Sequence, residues 1–161
     1  MCVRCSKDEW GYQDCSSWCA ESFFKKLKTL ISNSTRDDKK EDVIFYYQEG
    51  IKLAEKTNNY TDLGNWSVQL YEIYKRESDK EQAALELMLH ASKFVSKIEE
   101  SRTRGNIYLK LAAAYYSQTD FSEAIKAYTR ATEEFSSKDS IFVADALFFR
   151  GQAKDYKGEL L

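Results

Sequence analysis

Apolar residues along most of this chain recur at steps of three and four. Trp66, Leu70, Ile73 and Tyr74 form one such run, and Ile107, Tyr108, Leu111, Ala112 and Tyr115 form the next. That spacing predicts amphipathic helices with one face turned to a core. A short polar break follows each run, Arg76-Glu77-Ser78-Asp79 in one case and Ser117-Gln118-Thr119-Asp120 in the other. The closing aspartate suits a helix N-cap, because its carboxylate accepts bonds from the unpaired N–H groups of the next turn. Second helices are then expected through Ala83, Leu87, Ala91 and Phe94, and through Ala124, Tyr128, Ala131 and Phe135. Lys97 and Lys138 mark their ends, where a cation favours the carbonyl terminus.

The two helix pairs are copies of one another, 41 residues apart and without a gap. Gly64-Asn65 returns as Gly105-Asn106, Leu70 as Leu111, Tyr74 as Tyr115, Asp79 as Asp120 and Phe94 as Phe135. Extended backwards through Asp38 and Lys56, the frame predicts a second helix over 43–56. Its first-helix partner spans 17–31, with Trp18, Phe23, Leu27, Leu30 and Ile31 as the stripe. Extended forwards it predicts another first helix from Ile141 to about Tyr156, in a register that Tyr156 and Gly151 fix differently. A period of this size marks stacked helical units, each too small to bury its own apolar face. The expected fold is all-α: a right-handed superhelix of about seven antiparallel helices. It falls into units at about 17–57, 58–98 and 99–139 and a half-unit at 140–161, after a cysteine-containing segment at 1–16. The half-unit carries no second helix.

Composition agrees with a helical domain. Proline is absent from all 161 residues, which favours uninterrupted helices. Eleven Tyr, nine Phe and three Trp supply core material and speak against disorder, and a net charge of −2 speaks against a nucleic-acid surface. No apolar run reaches membrane-spanning length and the first twenty residues lack a signal-peptide core, so a soluble cytoplasmic protein is expected.

The stretch Leu111-Ala112, Tyr115, then Asp120-Phe121-Ser122-Glu123-Ala124-Ile125, Tyr128 and Ala131 resembles a tetratricopeptide (TPR) repeat. The unit at 62–98 is a weaker match, with Tyr71 in place of Ala112 and Lys80 in place of Phe121. Ordinary TPR units run to about 34 residues. The longer spacing here is similar to the SNAP family of vesicle-fusion adaptors and to the long-repeat TPR scaffolds of polarity and signalling complexes, and text such as Ala54-Glu55-Lys56-Thr57-Asn58-Asn59-Tyr60 resembles the former. The resemblance implies a non-catalytic scaffold or adaptor whose first helices line a concave face that grips a peptide or a helical partner, as SNAP-like adaptors do in vesicle trafficking. Carried over residue by residue, the groove positions are Asn106, Leu109, Ala113 and Tyr116, with Asn65, Val68, Glu72 and Lys75 one unit earlier. Some TPR domains grip a chaperone's terminal carboxylate from the positions of Asn106, Leu109, Lys110 and Ala113; the apolar residues here favour an apolar or helical ligand.

Other chemistry is sparse. Cys2, Cys5, Cys15 and Cys19 are spaced C-x2-C and C-x3-C, a pattern that can chelate zinc, so a zinc-binding regulatory module is one alternative. Free thiols and acylation of Cys2 and Cys5, with peripheral membrane association, are others. Self-association through the half-unit at 140–161 is a third, as a structural subunit of a larger complex. His90 is the single histidine and sits opposite Ala131 in the frame, a packing position, while no glycine-rich phosphate loop occurs. No catalytic residue and no cofactor is expected.

Overall fold

The computed structural model describes Lys25, Thr29 and residues 40–158. Every regular element among them is helical. The α-helices are α1 (Lys40–Lys56), α2 (Tyr60–Tyr74), α3 (Glu81–Ser92), α4 (Ser101–Ser117), α5 (Phe121–Glu134) and α6 (Ser140–Lys157). Short 3-10 turns at Val95–Lys97 and Ser137–Asp139 stand where the sequence placed the ends of the second helices. The α-helical hydrogen bonding thus stops a few residues before Lys97 and Lys138, and the chain tightens there before turning. Among the described residues no helix is long and apolar enough to cross a membrane.

The chain divides into two compact units, residues 1–59 and 60–161. In the first, α1 begins at Lys40, close to the expected start near Asp38, and buries Gly50, Ile51 and Ala54. Its end is a Schellman motif. Asn58 takes a left-handed conformation (φ 56°), the Asn59 amide donates to the Ala54 carbonyl at 2.8 Å and the Asn58 amide to Glu55 at 3.2 Å. The helix expected over 17–31 lies outside the described residues except for Lys25 and Thr29. Both are helical, and the Thr29 hydroxyl donates to the Lys25 carbonyl at 3.0 Å. Phe23 and the four cysteines, three of them in the segment 1–16 and the fourth at Cys19, also lie outside the described residues.

In the second unit each helix packs on the next in sequence, and α2 also packs on α4. Two glycines set these approaches. A Cβ added to Gly64 of α2 would sit 2.8 Å from the Thr103 methyl and 3.0 Å from Cδ1 of Ile107, both on α4. At Gly105 an added Cβ would lie 2.6 Å from the Phe135 ring, which follows α5. Ala112, Ala124 and Ala131 are fully buried between α4 and its neighbours, with Tyr128 and Ile107 filling the larger spaces. Arg104 fastens the turn ahead of α4: Nη1 donates to the carbonyls of Ile98 (2.9 Å) and Glu99 (2.7 Å), and Nε to Glu134 at 2.6 Å. At the head of α6, Asp139 closes a capping box with Ser136 and pairs with Nε of Arg102 at 3.2 Å. The same guanidinium lies 5.1 Å from the Phe142 ring centroid, so Arg102 tethers α4 to α6.

The two expected aspartate caps part company. Asp120 caps α5, accepting from the Glu123 amide at 3.2 Å. Asp79 does not cap α3: that helix starts at Glu81, Lys80 holds the cap position, and no side chain bonds there. In this copy the Lys80 amide turns back to the Glu77 carbonyl at 3.1 Å, which delays the helix past the aspartate. The α4–α5 turn also carries a cost. Its Schellman motif puts Thr119 at φ 61°, where a β-branched residue is strained, with bonds from Thr119 to Tyr116 and from Asp120 to Tyr115, each 3.0 Å.

Two substitutions test these constraints by urea denaturation. Gly105→Ala loses about 1–2 kcal/mol, because displacing the Phe135 ring outweighs the gain in helix propensity. Thr119→Gly gains about 0.5–1 kcal/mol by relieving the left-handed strain.

Candidate partner-binding face

The residues that the sequence assigns to a groove fall on α2, on Lys75 just past its end, and on α4, which packs beside α2. They do not all face outward. Asn65 and Lys75 are exposed, and Glu72, Asn106, Ala113 and Tyr116 are half-buried. Val68 and Leu109 are buried, at 8% and 7% exposure, so neither presents its side chain to a partner. The helical step explains the difference. From Asn106 a step of three reaches Leu109 on the inner side, while a step of four reaches half-buried Lys110. From Asn65 the step of four likewise reaches exposed Gln69.

Glu72 is the electrostatic centre of this face. Its carboxylate accepts from Lys110 Nζ across the helix pair at 2.6 Å and from Lys75 Nζ one turn on at 2.9 Å. Partial burial acts to raise the Glu72 carboxyl, but the hydrogen bonds and charges of Lys110 and Lys75 prevail and hold it below its ordinary value. A second tie lies at the head of the pair. The Thr103 hydroxyl is 2.9 Å from Asn65 Oδ1 and 2.6 Å from Glu100 Oε2, and its single proton serves one of them at a time.

At the far end of α4 the face becomes aromatic. Tyr116 meets the Phe121 ring edge-on at 5.4 Å and Tyr156 at 6.1 Å, and Phe121 stacks on Tyr156 at 5.5 Å. Desolvation, the neighbouring Tyr156 and a hydrogen bond to it all raise the Tyr116 phenol. Behind it, burial and the nearby Glu72 charge push Tyr71 to about 12, and burial with the Tyr71 and Tyr116 neighbours drives Tyr128 higher still. All three phenols therefore stay neutral at physiological pH and act as apolar bodies with a polar tip.

Tyr156 was not among the groove residues expected from sequence, and Lys110 was named only as a position from which some TPR domains grip a carboxylate. The 41-residue frame carries the signal for the first, since it maps Tyr115 onto Tyr156. The second joins the face through the four-step from Asn106 rather than the three-step. His90 is half-buried on α3 with its ring edge-on to Phe94 at 5.3 Å, a packing arrangement. Among the described residues no group of three His, Cys, Asp or Glu side chains is placed to hold a metal ion. Comparison of the chain with protein-family models, curated proteins and solved structures gives no match.

The Glu72 geometry predicts a pH signature. Its depressed carboxyl contributes stability above the ordinary value of 4.5, and that contribution is lost as pH falls through the lower folded value. Wild type therefore exceeds Glu72→Gln in stability at pH 7, by up to about 1 kcal/mol, and the difference narrows in acid when thermal unfolding is followed from pH 7 to pH 3.

Proposed function

We propose that this chain is a non-catalytic scaffold that binds a peptide or an α-helix of another protein on the face formed by α2 and α4. The helix pairs stack, in this reading, as a right-handed TPR-like superhelix with long units, and the binding face is its concave side. The observation that carries the proposal is the pairing of Glu72 with Lys110. It joins two successive first helices on their outward side and leaves a continuous band of polar and small groups from Asn65 to Ala113. Around this band Val68 and Leu109 turn inward and supply rigidity, while Tyr116 closes one end as an aromatic anchor.

Such a surface suits a ligand held by packing on Tyr116 and by polar registration. Glu72 offers acceptor capacity beyond its two lysines, and Asn106 presents both a donor and an acceptor. A rigid, preformed face binds with little ordering cost on its own side, so affinity comes chiefly from desolvating the anchor. The SNAP-like length of the repeat makes a helical ligand the preferred choice over an extended peptide. Under this proposal the protein works in the cytoplasm as an adaptor, in a SNAP-like vesicle-trafficking role.

The test uses a photo-reactive amino acid placed in the full chain, in cells, at Asn65, Asn106 or Ala113, with Glu86 and Lys93 on α3 and its end as controls. Adducts with one defined protein are expected at the three face positions and not at the controls. Tyr116→Ala combined with Glu72→Lys reduces that adduct at least about tenfold without loss of helicity. Equal labelling at face and control positions sinks the assignment.

A further inference from the structure

We infer that α6 is a self-association element: it pairs antiparallel with α6 of a second copy of this chain, Phe148 of each copy packing over Gly151 of the other. The starting point is a contrast among three glycines inside helices of the second unit. Gly64 and Gly105 leave hollows that Thr103, Ile107 and Phe135 fill. Gly151, past the middle of α6, has no atom within 4 Å of the place a Cβ would occupy; Gly158, the cap that follows the helix, is equally open, though its φ of 80° favours glycine on its own account. A glycine inside a helix costs about 1 kcal/mol against alanine, so a hollow that nothing within the chain fills is an expense without a return.

The large residues of α6 supply the matching knobs. Phe148 is 61% exposed and Ile141 75% exposed. Both lie on the outward face, opposite the two buried residues Ala146 and Ala153 by which α6 faces its own unit. Ile141 and Phe148 are seven residues apart, as are Gly151 and Gly158, and together with Ala144 and Asp155 they form one stripe at alternating steps of three and four. That is a heptad seam with Ile141, Phe148 and Asp155 at one core position and the small residues Ala144, Gly151 and Gly158 at the other.

One antiparallel register satisfies both pairs at once. A two-fold axis between residues 149 and 150 sets Phe148 over the partner's Gly151 and Ile141 over the partner's Gly158. The same axis repeats both contacts with the copies exchanged, as an isologous interface requires. Small residues at the seam let the two backbones approach closely, and each aromatic ring enters the space the other copy leaves. The flanks are compatible: Asp145 runs beside the partner's Gln152, and Leu147, also exposed, beside the aliphatic stem of the partner's Lys154. Asp155 falls across from the partner's Ala144, whose small side chain leaves the carboxylate a path to water. The seam uses none of the residues assigned to the α2–α4 face, so either proposal can fail without the other.

Sedimentation of the full chain over a wide concentration range tests this. Wild type is expected to form a reversible dimer. Phe148→Gly sets hollow against hollow and Gly151→Phe sets ring against ring, and each raises the dimer dissociation constant by roughly tenfold or more. The double variant, Phe148→Gly with Gly151→Phe, restores ring over hollow in the same register and recovers dimerisation to within a few-fold of wild type. A wild type that is monomeric throughout overturns the inference. So does a dimer indifferent to the single changes, or a helical double variant as weak as the singles. If the double variant does not fold, Ile141→Glu decides: its exposed position spares the fold, a weaker dimer supports the seam, and an unchanged dimer overturns it.

Discussion

A missing methyl group at residue 64 sets the distance between α2 and α4. With a Cβ there, Thr103 and Ile107 could not lie against α2, and the two helices would separate by the thickness of a side chain. The contacts that define the second unit follow from that closeness. Thr103 reaches Asn65, Lys110 reaches Glu72, and Ile107 is excluded from water. None of these interactions is strong alone, and the exposed ones are screened. They act because the backbones are already close.

The same constraint recurs at Gly105 with a different solution. There the space is taken by the Phe135 ring, which stacks in turn on Phe142 at 5.5 Å. An aromatic wedge therefore stands where the preceding pair has direct helix-to-helix contact, and α6 is tied to α4 by Arg102 and by Tyr116–Tyr156 instead. One repeat in the sequence thus yields two kinds of junction. Similar sequence positions specify similar helices, but what occupies a glycine's hollow decides how those helices meet.

Much of the helical layout was legible in the chain. The apolar steps and the 41-residue frame placed α1 to α6 with their ends off by a few residues, since periodicity reports which face is covered and not where hydrogen bonding stops. The Asp79 cap was misread because a turn bond from Lys80 to Glu77 competes with capping, and nothing in the residue type records it. The candidate face was legible only in part. Leu109 and Lys110, like Val68 and Gln69, point about 100° apart around the helix axis, and the repeat motif does not record which of the two neighbours faces outward. Tyr156 joins Tyr116 and Phe121 through the packing of α6, a tertiary relation that no local pattern contains.

In the second unit the main packing joins helices one or two apart in sequence, and α4 packs on three of them, α2, α3 and α5. Contacts between residues close along the chain need little loop closure, so this unit folds on the microsecond-to-millisecond scale typical of local helical topologies. Its pieces can also form in order as the chain emerges from the ribosome, without waiting for a distant segment. The amide protons of α4, packed on three helices, are expected to exchange with solvent most slowly.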